Sequence, residues 1–478
     1  MKMKNRLFIF INAFLIQAII TNGQTNPVAL SVLSEQSYDK VNYTYYTKAD
    51  LEKDLSFIYE KFTSIHPIFL DKTFKEKWEN EFATTSRLLK DSMTQNEFYL
   101  ISAPLLAYLN DSHSNFLCPV DQRMKYMLEG GGLSFPFSVK LRNNSIFIAE
   151  YYGDDSLLFK GGEEIVGINA VTSSDILLEM QKLIGGSSIP IKNLTIEMYF
   201  RTYLWMIYGL ENDYQLHLRN NSNQLSEAFV KGITNEQFLK NRKRYPPVKS
   251  EQYSLSVDKN RKTSVLAIQS FSDLAGFCAF ADSAFQIIAK ESIENLIIDI
   301  RGNLGGRSVV VDSLMNFLTN KPYNQYQKIE TLISNDLKAY YKEKYPEKYD
   351  EIKDLVIGES FSSSDEMVYP HNSKFRFSGK LFLLTDSKTS SAAATFAGVF
   401  KELKLGVIVG EETGGTIQYF GDFWFLSLPN TGLQFHISPK RFVQYGGKDL
   451  KRGVIPDFLI SNRDDSIMDF TNKFINNN

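Results

Sequence analysis

The feature that most constrains the fold is an alternation of short apolar runs and amphipathic helical segments in the second half of the chain. Apolar runs are typical of strands buried on both faces, because helices cover both sides of a parallel sheet. The pattern predicts strands at Val265–Ile268, Leu296–Ile300, Leu381–Leu384 and Leu405–Val409, and helices over 276–290, 308–318 and 391–403. A closing hairpin is predicted from 423–428 and 433–437. We therefore predict an α/β core with a largely parallel sheet over residues 251–478.

The first part of the chain has a different, mainly helical pattern. Apolar residues recur at helical spacing after Thr47, a second helix is predicted over 73–90, and Thr94 with Glu97 forms a capping box ahead of a third. We assign residues 47–127 to an N-terminal helical domain, so the whole chain is a multidomain α+β protein.

After three consecutive glycines the pattern becomes β-like. Residues 135–141 and 146–151 predict two strands, and a glycine–acid segment at 161–170 precedes a helix predicted over 173–184. This order resembles a PDZ domain. We assign residues 128–250 to a PDZ-like domain and a polar linker.

The N-terminus carries a basic segment, Lys2 to Arg6, followed by an apolar run from Leu7 to Ile20 and a polar stretch. This is typical of a secretory signal peptide, and the apolar run is short for a membrane-spanning helix. We predict a signal peptide at 1–23, a leader segment at 24–46, and an exported protein, periplasmic or extracellular. No stable membrane insertion is expected after cleavage.

Charge and cysteine content exclude several classes of protein. The net charge is −2 and the pI is about 6.3, so no basic field favours nucleic acid. The two cysteines, Cys118 and Cys278, can be paired or free. No Cys/His cluster has the spacing of a zinc site, and we predict neither a metal nor a cofactor.

Two predicted strand-to-helix turns are candidates for chemistry. A glycine-rich turn, residues 302–306, follows the strand at 296–300, and Ser391 begins the helix that follows the strand at 381–384. The free amides and the positive end of a helix dipole favour an alkoxide or a developing oxyanion. The competing interpretation of Ser391 is a helix N-cap.

A nucleophilic serine needs a base, and the candidates are few. No lysine occurs between Lys404 and Lys440, which disfavours a lysine base from the loop at 410–416. His113 is bracketed by Asp111, Ser112 and Ser114, a polar cluster able to orient an imidazole. The other histidines have simpler interpretations, which are helix capping for His66, packing in strands for His217 and His436, and a loop for His371.

Four ordered segments, 296–306, 389–393, 410–415 and 453–457, resemble the motifs of peptidase family S41, which contains C-terminal-processing (tail-specific) and tricorn-like serine peptidases. The resemblance extends from about Thr47 to Asn462 and includes the His66-Pro67 element. It implies a ClpP/crotonase-like α/β peptidase core and acyl transfer on polypeptides, unstructured or C-terminal segments in particular.

The resemblance also assigns roles to individual residues. A Ser–Lys dyad would place its lysine where this chain has Thr416, so the tricorn-like Ser–His branch is implied. In that branch Ser391 is the nucleophile and His113 the general base. The implied accessory residues are Ser112, which orients or polarises His113, and the oxyanion-hole amides of Gly305 (or Gly306) and Ala392.

One position departs from the tricorn-like pattern. The glutamate expected three residues before the Gly453 motif is Leu450 here. Asp449 and Glu411 are therefore the candidate acidic residues to orient His113.

The resemblance to PDZ domains implies that the amides of Gly131, Gly132 and Leu133 bind the terminal carboxylate of a substrate. The alternative is that this domain only packs against the core and shapes the cleft. Two alternatives for the whole chain also stay open, namely a catalytically weak or inactive binding protein for peptides or hydrophobic ligands, and a hydrolase of non-peptide esters or amides.

Overall fold

The computed structural model describes residues 41–153, 159–209, 212–246, 251–363, 366–461 and 465–477. The predicted signal peptide and most of the predicted leader segment lie outside these residues. Within the described ranges, no helix combines the length and the hydropathy that a membrane span requires.

The N-terminal region is helical, as predicted. Strand β1 (Tyr45–Thr47) pairs antiparallel with β2 (Ser92–Thr94), and each leads directly into a helix. The capping box is confirmed, since the Glu97 amide donates to Thr94 Oγ1 and the Thr94 amide donates to the Glu97 carboxylate. The helices are α1 (Lys48–Ile65), a 3₁₀ helix (Pro67–Leu70), α2 (Lys72–Arg87), α3 (Gln95–Ala107) and α4 (Asp121–Glu129).

An antiparallel sheet and three α-helices form the next part of the chain. Its strands are β3 (Phe137–Arg142), β4 (Ser145–Tyr151), β5 (Glu164–Ile168), β6 (Val171–Thr172), β7 (Asp213–Arg219) and β8 (Leu225–Lys231), in the order β3-β4-β5-β7-β8 with β6 against β5. Helix α5 (Ser173–Lys182) matches the predicted one, whereas α6 (Ile189–Tyr208) was not predicted. The predicted polar linker also contains β8 and helix α7 (Asn235–Asn241), which were not predicted. The PDZ-like assignment stays a prediction.

The C-terminal half contains the predicted α/β core. Its strands are β9 (Tyr253–Asp258), β10 (Thr263–Ile268), β11 (Asn295–Asp299), β12 (Tyr326–Leu332), β13 (Ser360–Ser363), β14 (Lys380–Thr385), β15 (Val407–Gly410), β16 (Gln418–Gly421), β17 (Trp424–Ser427), β18 (Gln434–Ile437), β19 (Lys440–Gln444) and β20 (Phe458–Leu459). Its helices are α8 (Leu274–Lys290), α9 (Ser308–Leu318), α10 (Asn335–Lys344), α11 (Pro346–Ile352), α12 (Ala392–Glu402) and α13 (Ser466–Asn476).

The main sheet has the order β20-β15-β14-β11-β10-β9 and is parallel except for β9. Buried residues of α8, α9 and α12 cover one face, and α13 packs against the other. This confirms the parallel sheet that the apolar runs predict. Because β11, β14 and β15 are parallel neighbours, the loops after them meet at the same edge of the sheet, where α/β folds place their ligands.

The predicted hairpin is present as β17 and β18, and it joins the core to the N-terminal helices. The buried carboxylate of Asp54 in α1 accepts the backbone amides of Asn430 and Thr431 in the hairpin turn. The chain after α3 pairs with β18, with the Leu117 amide donating to the Gln434 carbonyl. These bonds bring the segment that carries His113 to the core.

Candidate active site

Ser391 lies between β14 and α12 in an unusual backbone conformation, with φ 51° and ψ −131°. Positive φ is uncommon for a residue with a Cβ, and such conformations persist where the surrounding structure enforces them, often at active sites. Ser391 occupies the N-cap position, but its side chain makes no capping bond to α12. Helix capping therefore does not explain this serine.

The turn that carries Ser391 is held by Asp386, a buried residue at the end of β14. Its Oδ1 accepts the amides of Lys388 and Thr389 within the turn and the amide of Gly302 in the neighbouring glycine loop, at 2.9–3.1 Å. One carboxylate thus fixes the two predicted loops relative to each other. The loop after β15 joins them, because the Gly415 amide donates to the Thr389 carbonyl at 3.0 Å.

Gly305 touches the nucleophile candidate directly. A Cβ on Gly305 would lie 2.7 Å from Ser391 Cβ and 2.8 Å from the Ala392 nitrogen, and its φ is +99°. Its amide donates to Asn303 Oδ1 at 2.8 Å, which corrects the prediction that this amide serves an oxyanion hole. The amides of Gly306 and Ala392 donate to no other residue in the described part of the chain, so these two predicted donors are available.

We expect Gly305→Ala to reduce activity by about 100-fold or more, because the added methyl must displace Ser391 or the start of α12. Gly358→Ala is the matched control, since Gly358 also has a positive φ (+90°) but has open space around its Cβ position. Hydrolysis rates and thermal unfolding of both variants distinguish the steric effect from backbone strain. Equal activity in the two variants would contradict the close approach of Gly305 to Ser391.

His113 lies just after α3, and its side chain is 22% exposed. Its ring stacks on Phe423 at a centroid distance of 5.8 Å and contacts Tyr419 at 6.2 Å. Ser112 Oγ is 3.3 Å from Nδ1, as the prediction that Ser112 orients this ring requires.

His113 and Ser391 line one cleft, together with Ser112, Thr416 and Tyr419. Its cavity volume is about 50 Å³, enough for ordered water. No hydrogen bond joins Ser391 to His113 in this conformation, although both lie in the described part of the chain. No lysine lines the cleft among the described residues, and Thr416 donates its hydroxyl to the Gln418 carbonyl.

Asp111 is the carboxylate beside His113. It is buried, and its Oδ1 accepts the His113 amide at 2.9 Å and lies 3.6 Å from His113 Nδ1. Burial raises the pKa of Asp111, but the bonds from His113 and His66 outweigh this and hold the pKa well below its usual range. An ionised carboxylate therefore faces Nδ1, which leaves Nε2 as the nitrogen able to accept a proton.

The structure corrects the prediction for the acidic residue. Asp449 is exposed, and its carboxylate accepts the Lys451 amide within its own turn. Glu411 accepts the Ser387 amide instead and braces the turn that leads to Ser391. Neither carboxylate forms an ion pair with His113 among the described contacts, whereas Asp111 does.

The predicted carboxylate-binding glycines have a different role. The amides of Gly130 and Gly132 both donate to the Tyr126 carbonyl and so end helix α4, with Gly131 in a left-handed conformation (φ +65°). The Gly132 amide is therefore not available to a substrate carboxylate. This removes the Gly132 amide from the predicted site of Gly131, Gly132 and Leu133, and the rest of that site stays a prediction.

A second contact, between helix α6 and strand β3, occupies a backbone amide of the predicted PDZ-like region. Strand β3 is an edge strand, the kind that a bound peptide would extend by adding a strand. The Leu141 amide of β3 donates instead to Glu197 Oε1 of α6 at 2.7 Å, and Lys140 pairs with the same carboxylate. Helix α6 thus covers part of this edge.

Sequence reasoning missed two residues that contact Asp111. His66 caps the 3₁₀ helix as predicted, but its other nitrogen faces Asp111, and Ser438 donates to the same carboxylate at 2.9 Å. The remaining histidines match their predictions, His217 in β7, His436 in β18 and His371 in an exposed loop. Cys118 and Cys278 are both free thiols.

The chain is similar to known proteins in both sequence and fold. Residues 262–460 match the model of peptidase family S41. Mature CPAF has 16% identity and a TM-score of 0.62, covering 90% of this chain and 98% of its own. CPAF complexed with lactacystin has 17% identity and a TM-score of 0.62 (90% and 99% covered), and a CPAF mutant has 15% and 0.63 (90% and 96% covered). At these identities the structures share the fold.

Proposed function

We propose that this chain, whose residues 262–460 match the model of peptidase family S41, is a serine peptidase that cleaves unstructured polypeptides through an acyl-enzyme, with Ser391 as nucleophile and His113 as general base. The observation that carries the proposal is that Ser391, in a strained conformation at the start of α12, shares one cleft with His113. The basic and apolar N-terminal segment supports export to the periplasm or the medium.

The proposed reaction begins with attack of Ser391 Oγ on the scissile carbonyl carbon while His113 Nε2 takes the hydroxyl proton. Asp111 and Ser112 hold the Nδ1 side of the ring. The amides of Gly306 and Ala392 donate to the oxyanion, and each such donor contributes about 3 kcal/mol to transition-state stabilisation. His113 then returns the proton to the leaving amine. In the second half of the reaction, water attacks the ester carbonyl while His113 takes its proton, and His113 passes this proton to Ser391 Oγ as the bond to the acyl group breaks.

The separation of Ser391 and His113 adds a requirement to this mechanism. No hydrogen bond joins them in this conformation, so substrate binding has to bring Ser391 Oγ within hydrogen-bonding distance of His113. The His113 segment is attached to hairpin strand β18, which is a separate element from the sheet edge that carries Ser391. A shift of the hairpin relative to α12 would bring the two side chains together.

The proposed function does not include binding of substrate C-termini by the PDZ-like domain. The Gly132 amide closes α4, and Glu197 occupies an amide of the edge strand. The alternative that this domain packs on the core and shapes the cleft has more support, because Ser187, just before α6, lines the cleft and donates to the Gly414 carbonyl.

The test is incubation of the mature protein with casein, an unstructured polypeptide, with and without prior treatment by a fluorophosphonate. We expect new peptide termini to appear in mass spectra, and the reagent to abolish them. Absence of cleavage together with absence of labelling would contradict the proposal, as would cleavage that the reagent leaves unchanged.

Asp111→Asn is expected to lower kcat by on the order of 10²- to 10⁴-fold, because an amide no longer holds the imidazole in the required tautomer and does not stabilise the imidazolium. The side chain keeps its size, so thermal unfolding can verify that the variant folds. Asp449→Asn is the control and should retain wild-type activity. Loss of activity in Asp449→Asn but not in Asp111→Asn would restore the assignment made from the sequence.

A further inference from the structure

His66 is a fully buried histidine outside the cleft, located between α1 and the 3₁₀ helix. Its ring lies among aromatic side chains, with Phe420 at a centroid distance of 4.3 Å and Phe62 and Phe69 at 6.4 Å each. Its one charged hydrogen-bond partner is Asp111, whose Oδ2 is 3.3 Å from His66 Nε2. A buried polar group of this kind is costly unless its bonds are specific.

The two ring nitrogens of His66 have different, fixed roles. Nδ1 accepts the Ile68 amide at 3.2 Å, so it carries a lone pair and not a proton. The proton of the neutral ring is therefore on Nε2, which donates to Asp111. Burial lowers the pKa of His66, opposed by Asp111, and the ring is neutral near pH 7.

The bonds to Asp111 divide its two oxygens between different partners. Oδ2 accepts from His66 and from Ser438 at 2.9 Å, whereas Oδ1 accepts the His113 amide and lies beside His113 Nδ1. A carboxylate held in this way cannot rotate without breaking bonds on both oxygens. His66 thus fixes which oxygen faces the proposed general base, although it does not itself line the cleft.

We propose that His66 is a positioning residue for the reaction, acting through Asp111 to keep the His113 ring oriented toward Ser391. The inference rests on the proposed function, since it has meaning only if His113 is the base. It adds a second imidazole to the site, on the opposite side of the shared carboxylate.

The test compares two substitutions by the second-order rate of fluorophosphonate labelling. His66→Phe removes the donor but fills most of the volume, and we expect labelling to slow on the order of tenfold, as for loss of a buried hydrogen bond to a charge. His66→Gln keeps an N–H donor near the position of Nε2 and should recover most of the wild-type rate. Thermal unfolding verifies that each variant is folded.

The double variant of His66 and Asp111 distinguishes a positioning role of His66 from a merely structural one. In an Asp111→Asn background, His66→Phe should cause no further loss, because the residue that it positions is no longer a carboxylate. Equal labelling of wild type and His66→Phe, or an additive loss in the double variant, would overturn the inference. Labelling of Ser391→Ala in parallel separates the two failures, since undiminished labelling there refutes the proposed function itself.

Discussion

Replacing Ser391 by alanine is expected to lower casein hydrolysis by roughly four to six orders of magnitude, to the level left by binding and by the oxyanion amides alone. The substitution removes the atom that forms the acyl-enzyme in the proposed reaction. The Ser391 side chain makes no capping bond to α12, and the variant should therefore fold with little change in stability. The measurement is the initial rate of cleavage, with thermal unfolding as the control for folding.

Ser283→Ala is the matched control, because Ser283 is an exposed serine on α8 whose hydroxyl bonds only to the Ala279 carbonyl one helical turn away. It should keep full activity. If Ser391→Ala cleaves casein at a rate near that of Ser283→Ala, a different nucleophile operates.

The second large effect is expected for His113→Ala. Without a base, the Ser391 hydroxyl is a weak nucleophile near neutral pH, and kcat should fall by on the order of 10⁴-fold or more. KM should change less, because His113 is one of several residues that line the cleft. Steady-state kinetics on a peptide derived from casein separates the two constants.

His371→Ala is the control for this variant, since His371 is exposed in a loop and does not line the cleft. A His113→Ala variant as active as His371→Ala would show that another group takes the serine proton. In that event the contacts of Asp111 with His113 and His66 would be structural only.

Much of the fold follows from local sequence patterns. The buried parallel strands are predictable because both faces of β11 and β14 are covered, so their residues are apolar without alternation. The capping box at Thr94 is a local interaction and needs no tertiary information. Helix α6 escaped prediction because buried residues occur on most of its sides, including the run from Thr202 to Met206, which hides the helical period.

The candidate site was predictable in part. The loops of Gly305 and Ser391 each follow a recognisable strand, and His113 lies in a conspicuous polar cluster. The partners of Asp111 were not predictable, since His66 is 45 residues and Ser438 is 327 residues away along the chain. Packing among the N-terminal helices brings His66 to Asp111, and packing of the hairpin against these helices brings Ser438 there.

The same sequence feature can serve two different structural purposes. Glycines that resemble a carboxylate-binding loop instead terminate α4, because a left-handed residue at Gly131 is also what a helix end requires. Similarly, the expected acidic position near Gly453 holds the exposed Leu450, and the carboxylate that lies beside His113 is that of Asp111, two residues earlier in the chain.

The most direct test of the central claim, that Ser391 is the activated nucleophile, is to locate the covalent adduct of a fluorophosphonate by peptide mapping. Cleavage by trypsin after Lys388 and Lys401 isolates the segment 389–401, which contains Ser391 together with Ser390, Thr389 and Thr395. We predict one adduct per chain, on Ser391, and its loss in His113→Ala. An adduct on any other residue, or unmodified protein under conditions in which casein is cleaved, would contradict the account.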